Sequence, residues 1–184
     1  MTFEAVSAVI RNRRTALFVD DRPVPSQLVE QLCELAQWAP NHKRTWPWQF
    51  ALVEGSARGR LGIVISDVMA ANGDPVEKVI KTRGKYLRTP VTLVVGSAPG
   101  DSVLRVIENR DSVAAGIQNL LLGATALGLA SFWSSCAKGA DAVVASFCNF
   151  EPGTQIVGLI YLGWPTSTVA PPDRPPLDLH LIQS

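Results

Sequence analysis

Charge of a single sign is scarce in this sequence: 17 Lys and Arg stand against 16 Asp and Glu, a formal net charge of +1. A duplex nucleic-acid binder usually carries a basic face, so near-neutrality weighs against that class. Long hydrophobic runs are missing too, because Gly, Ser, Asn or a charge interrupts each apolar stretch before it reaches membrane-spanning length. The opening MTFEAVSAVIRNRR has its acid early and its arginines late, the reverse of a secretory signal. Cys33, Cys136 and Cys148 are odd in number and show neither CxxC nor Cys/His metal spacing, so reduced thiols in a cytoplasm are expected. Only two histidines occur, far apart, which argues against a structural zinc site. No acid/base pair or nucleophilic triad stands out, and Cys136 has no companion base in sequence.

What remains is a globular composition. With 184 residues, 47% of them hydrophobic, the chain suits one domain over 1–184 with a core of its own. Phe3, Val6, Val9 and Ile10 predict a helix over 3–13 that closes on Arg11, Arg13 and Arg14, cations suited to the negative helix end. After DRPVPS, Ser26 is the expected N-cap of a second helix, with Leu28, Leu32, Leu35, Ala36 and Ala39 on its apolar face. Strands are expected at 48–53, 90–97, 130–135 and 155–162, and helices at 56–71, 75–86, 103–127 and 140–148. Gly116, Gly123 and Gly128 on the longest helix leave room for another backbone to approach. Residues 165–184 form a proline-rich tail, expected to be extended. The fold class is α+β, with a short, mostly antiparallel sheet flanked by helices.

Three segments carry residues suited to chemistry. In Asn12-Arg13-Arg14-Thr15, two guanidinium forks and a hydroxyl make a phosphate seat, although a solvated helix end would read the same way. AQWAPNHKRTWPWQF, over 36–50, sets Trp38, Trp46 and Trp48 beside His42, Lys43 and Arg44, as a flat heteroaromatic with a phosphate tail would require. Trp48 heads a strand and reads as core, whereas Asn41 favours a turn that projects His42 outward. Trp133-Ser134-Ser135 ends a strand, where small polar residues commonly line small-molecule sites. Gly123 and Gly128 sit at a helix end rather than its start, so they lack the geometry of a phosphate loop.

Taken in order, these segments resemble the nitroreductase family, in particular its short bacterial NAD(P)H nitroreductases. The resemblance runs through NRRT, PVPSQLVEQLCELAQWAPNHKRTWPWQFALVEG, the helix before ALGLASFWSS, and IVGLIYLGWP; its most specific piece is AP-x-H-K followed by PW-x-F. It implies an intertwined α+β homodimer with one FMN per subunit at the interface. It matches Arg13, Arg14 and Thr15 to the family's FMN-holding Arg-Arg-Ser, and Trp38 and His42 to residues reaching the other subunit's flavin. Trp133, Ser134 and Ser135 match a Trp-Arg-Ser that completes the pocket, with Ser134 in place of the arginine. Gly123, Ala124, Thr125, Ala126, Leu127 and Gly128 correspond to a segment assigned to NAD(P).

Two departures stand out. The family's Asn-x-Gln-Pro-Trp is here Arg44-Thr45-Trp46-Pro47-Trp48, and Leu17 replaces a basic residue near the flavin's pyrimidine edge. Lys43 or Arg44 is the expected substitute for that cation. The implied activity is FMN-dependent transfer of hydride from NADH or NADPH to nitroaromatic, quinone or similar acceptors, with no metal, nucleic acid or membrane involved. The alternative is a non-redox flavin- or nucleotide-binding module of the same fold.

Overall fold

The computed structural model describes residues 2–183. Its elements in chain order are α1 (Phe3–Asn12), α2 (Ser26–Gln37), β1 (Trp48–Glu54), α3 (Ala57–Ala71), α4 (Val76–Gly84), β2 (Val91–Ser97), α5 (Val103–Ala126), β3 (Ala130–Ser134), α6 (Asp141–Phe147) and β4 (Gln155–Gly163). The four strands form one antiparallel sheet in the order β1-β2-β4-β3.

The sheet is buried on both faces because its central strands alternate between two apolar layers. Leu93 and Val95 of β2, with Ile160 and Leu162 of β4, pack toward α2 and α5 against Leu32, Ile117 and Leu120. Val94, Leu159 and Tyr161 point the other way, toward Leu61 and Ile65 of α3 and Val144 of α6. Period-two side chains make this possible, and a strand covered on both faces reads as a continuous apolar run such as VTLVVGS.

Close packing joins α5 to α2 and to the head of β1. A Cβ at Gly116 would lie 2.5 Å from Trp48 Nε1 and 2.6 Å from the Ala36 carbonyl oxygen, and one at Gly123 would meet Leu35 and Leu32 at 2.7 and 2.8 Å. Gly128 has a different role: at φ +77° it takes the left-handed turn after α5.

Two expectations about α2 need correction. Its N-cap is Pro25, at φ −58° and ψ 135°, and Ser26 is the first helical residue, with no side-chain capping bond. Leu32, Ala36 and Ala39 are buried as expected, but Val29 joins them in place of Leu28, which is half-buried, and Leu35, which is exposed. α1 begins with a true cap, the Thr2 hydroxyl accepting from Ala5 N–H at 3.3 Å, yet none of its residues is buried. Phe3, Val6 and Ile10 are exposed along it.

Beyond β4, Pro165 bridges Val19 and Thr166 N–H donates to the Phe18 carbonyl at 3.0 Å. The tail then continues without helix or strand, and Pro171, Pro172 and Arg174 share a cavity with Ile10, Arg11 and Arg14. No described helix is long and apolar enough to cross a membrane.

Candidate functional site

The chain leaves α1 at Arg13, whose backbone N–H still bonds to the Val9 carbonyl at 3.0 Å, and turns directly onto the outer edge of the sheet. There Thr15 forms a parallel bridge with Ser131 of β3, and Ala16 N–H donates to the Ser131 carbonyl at 3.0 Å. This register brings Arg13-Arg14-Thr15 beside the strand that ends in Trp133-Ser134-Ser135. The bridge joins the first of the singled-out segments to the strand that carries Trp133 and Ser134, across more than a hundred residues of chain.

The meeting point has more donors than it uses. Arg14 Nη1 donates to the carbonyls of Arg11 (2.5 Å) and Arg13 (2.9 Å), capping the end of α1. Arg14 Nε and the Ser131 hydroxyl are both buried without a partner. Neither Arg13 nor Arg14 has a carboxylate at ion-pair distance among the described residues. Buried polar groups are normally satisfied, and Arg14 Nε and the Ser131 hydroxyl are two of five buried side-chain atoms without a partner among the described residues, the others being Trp48 Nε1, Thr92 Oγ1 and the Tyr161 hydroxyl.

Trp133 is anchored rather than presented: its Nε1 donates to the Val157 carbonyl at 3.0 Å, and the ring covers Gly158, where an added Cβ would lie 2.6 Å from Nε1. Ser134 next to it has a neighbour that the sequence did not reveal. Lys85, in the 3-10 turn Lys85–Arg88 after α4, places its Nζ 3.3 Å from the Ser134 hydroxyl. Burial lowers the Lys85 pKa below the lysine norm of 10.5, and the nearby positive charges of Arg88 and Lys81 push the same way, against an opposing pull from Cys136. A half-buried ammonium without a carboxylate is poorly compensated, and an arriving anion would relieve it. Tyr86 and Tyr161 stack behind it at 5.8 Å, and the Tyr161 hydroxyl is another buried group without a partner. Cys136 is no nucleophile: burial first, then Asp141, pushes its thiol up to about 12.

The aromatic segment lies elsewhere in the same chain. Trp38 is 84% exposed, on a groove formed with Val6, Val9 and Ile10 of α1 and Leu122, Gly123 and Ala126 of α5. His42 opens a 3-10 turn and faces α5, its Nε2 3.7 Å from Glu108 Oε1, while Glu108 Oε2 accepts from Arg105 at 2.7 Å. Trp48 is core, as its position at the head of a strand implies. Lys43, Arg44 and Trp46 adopt left-handed φ values of 61°, 52° and 51°. Such a conformation costs a non-glycine residue roughly 1–2 kcal/mol. It is held by the Asn41 side chain, which donates to Thr45 (3.1 Å) and Ser112 (3.2 Å) and accepts from Trp46 N–H (2.9 Å). The Thr45 hydroxyl in turn donates to Asn109 at 2.6 Å.

The segment from Gly123 to Gly128 is the last turn of α5 and its cap. Its Leu127 and Gly128 N–H groups are spent on the carbonyls of Gly123 (3.0 Å) and Thr125 (3.1 Å). This helix end presents carbonyls and an apolar wall, not the free N–H groups that cradle a phosphate. Among the described residues, no group of three or more His, Cys, Asp or Glu side chains could hold a metal ion.

Known proteins share this fold over nearly the whole chain. YdjA of Escherichia coli, provisionally named an NAD(P)H nitroreductase, is 26% identical over 178 residues, covering 94% of this chain and 97% of YdjA. The crystal structure of a nitroreductase-like family protein from Bacillus cereus superposes with a TM-score of 0.77 at 26% identity, over 96% of this chain and 94% of that one. The FMN-dependent nitroreductase NfnB of Mycobacterium smegmatis, solved in complex with NADPH, shares the fold at a TM-score of 0.69 and 20% identity, over 89% and 88% of the two chains. The nitroreductase family model matches residues 10–164, so the chain belongs to the nitroreductase family.

Proposed function

We propose that this protein is an FMN-dependent oxidoreductase that takes hydride from NADH or NADPH and passes it to nitroaromatic, quinone or similar electron-poor acceptors. The observation that carries this reading is the junction of Arg13-Arg14-Thr15 with β3, where Arg14 Nε and the Ser131 hydroxyl lack partners. Those donors fit the phosphate and ribityl end of a mononucleotide: guanidinium forks match phosphate oxygens, and hydroxyls suit the polyol. Further support comes from NfnB, which is FMN-dependent and was solved with NADPH. When bound, FMN supplies the redox chemistry, accepting hydride and giving it up again.

This chain's residues would hold, orient and polarise. Arg13 and Arg14 neutralise the phosphate, and the Thr15 and Ser135 hydroxyls donate alongside. Lys85, braced on Ser134, would act as a cation favouring negative charge on the bound ring. In this reading Lys85 joins Lys43 and Arg44 as a candidate for the cation that the family's arginine at position 134 and basic residue at position 17 would supply.

Trp38 and His42 stand apart from this pocket, as residues serving a second subunit would. We read the exposed apolar side chains of α1, α2 and the start of α5, including Phe3, Ile10, Leu35, Val103 and Leu104, as the face of a homodimer. The apolar groove along Gly123 and Ala126 is continuous with that face, so subunit contact explains it better than pyrophosphate binding does.

The test is spectroscopic. Purified protein reconstituted with FMN should show a bound-flavin spectrum that bleaches on anaerobic addition of NADPH or NADH and recovers with a nitrofuran or quinone. Bound flavin that neither nucleotide bleaches would leave a binding module, and failure to retain flavin would overturn the reading entirely.

A further inference from the structure

The strained loop at 41–46 holds side chains that nothing in the cofactor pocket uses. Lys43, Arg44 and Trp46 all have left-handed backbones, and backbone strain persists only where its surroundings over-determine it. Here the surroundings are a buried polar network. Asn109 and Ser112 are 2% and 6% exposed on an otherwise apolar helix face, and they hold Asn41 and Thr45. Asn109 is itself fixed by the Ala98 carbonyl at 3.3 Å. Both polar atoms of the Asn41 amide are engaged, so the loop has one shape.

What the network holds up points outward. Trp46 is 63% exposed, its ring leaning on Trp48 at 6.2 Å between centroids and 52° between planes, which supports one side of the indole and leaves the rest open. Lys43 and Arg44 are exposed and form no hydrogen bond or ion pair through their side chains among the described residues. Glu108, the carboxylate that faces His42 in this loop, is shared between His42 and Arg105. Where the family pattern has two amides, this loop has a cation and an indole, so hydrogen-bond readout gives way to stacking plus charge. All three side chains sprout from four consecutive residues, within about 11 Å of chain.

We propose that Asn41–Trp46 is a preformed clamp for the electron acceptor, in which the Trp46 indole stacks on a planar aromatic ring and Lys43 and Arg44 pair with an acidic substituent. The loop selects aromatic acceptors bearing a carboxylate or sulfonate over their neutral analogues. It acts at the flavin site proposed above, reached across the subunit boundary as for His42, and so rests on that reading.

The experiment uses the FMN-loaded protein and two probes with the same nitroaromatic ring, 4-nitrobenzoate and methyl 4-nitrobenzoate. Equilibrium binding to the oxidised enzyme is followed by tryptophan quenching and flavin difference absorbance, and turnover by NADPH oxidation. The wild type should bind the carboxylate about tenfold more tightly than the ester, with the advantage shrinking as salt rises. Lys43→Gln/Arg44→Gln should erase the preference, whereas Trp46→Ala should weaken both probes alike. Equal binding of the two probes by the wild type, or a preference untouched in the double variant, overturns the proposal. So does a Trp46 signal that neither probe perturbs, as expected if a second copy covers the indole. An intact binding preference with no turnover of either probe would keep the clamp and overturn the redox reading instead.

Discussion

The seat at Arg13–Thr15 and the loop at Asn41–Trp46 are both basic, yet they are built in opposite ways. Main-chain register makes the seat: a single bridge from Thr15 to Ser131 sets its position, and the side chains around it are left with unmet donors. Side-chain hydrogen bonds make the loop: its amides and hydroxyls are satisfied, its backbone is strained, and its cations and indole face away from their own chain. Unmet donors within one chain call for a ligand that enters that chain. A rigid, satisfied loop with outward side chains instead calls for something brought to its surface. The first describes a resident cofactor, the second a visiting molecule or a neighbour's site.

The comparison breaks most sharply at the arginines. Arg13→Ala/Arg14→Ala should lower FMN affinity on the order of 100-fold or more, by removing charge-assisted bonds to the phosphate, and flavin absorbance after gel filtration reads this directly. The same substitutions should lower the thermal midpoint of the flavin-free protein only modestly, since the bonds lost are those from Arg14 Nη1 to the Arg11 and Arg13 carbonyls at the end of α1.

Asn109→Leu attacks the other region. It strips Thr45 of its acceptor inside the fold and should cost about 1–3 kcal/mol of stability, measured by denaturant unfolding. FMN affinity should fall far less than in the arginine variant. An equal loss would mean that the two regions are not separate devices.

Lys85→Met sharpens the comparison within the seat itself, with an expected loss of about tenfold in FMN affinity near neutral pH. Its pH dependence has a definite sign. Because the folded pKa is lowered below 10.5, Lys85 loses its charge earlier than a free lysine would, and FMN affinity should decline as pH rises through that lowered value. In the same window protein stability without FMN should rise with pH, since the unfolded chain holds the proton more tightly than the folded one. Both trends should be absent from Lys85→Met.

The elements were readable from the sequence because apolar periodicity and the Gly and Pro breaks agree with one another, as in VTLVVGS and the long helix around Ile117. Arg13, Arg14 and Thr15 were legible as a candidate phosphate seat because they are contiguous. Three features were not. Pro25 caps α2 because its backbone already has the extended conformation of a cap, a preference that Ser26's composition masks. Lys85 and Ser134 lie 49 positions apart and meet only when the turn before β2 is laid beside the end of β3. Asn109 and Ser112, three residues apart on an apolar helix face, were a legible anomaly, but their partners in the 41–46 loop are fixed by tertiary contact alone.

The central claim is that unpaired guanidiniums beside β3 bind the phosphate of a flavin mononucleotide. Parallel titrations of the flavin-free wild type with FMN and with riboflavin, which differ only in that phosphate, test it most directly. The account predicts FMN binding tighter by on the order of 100-fold or more. Equal affinities for the two would contradict it.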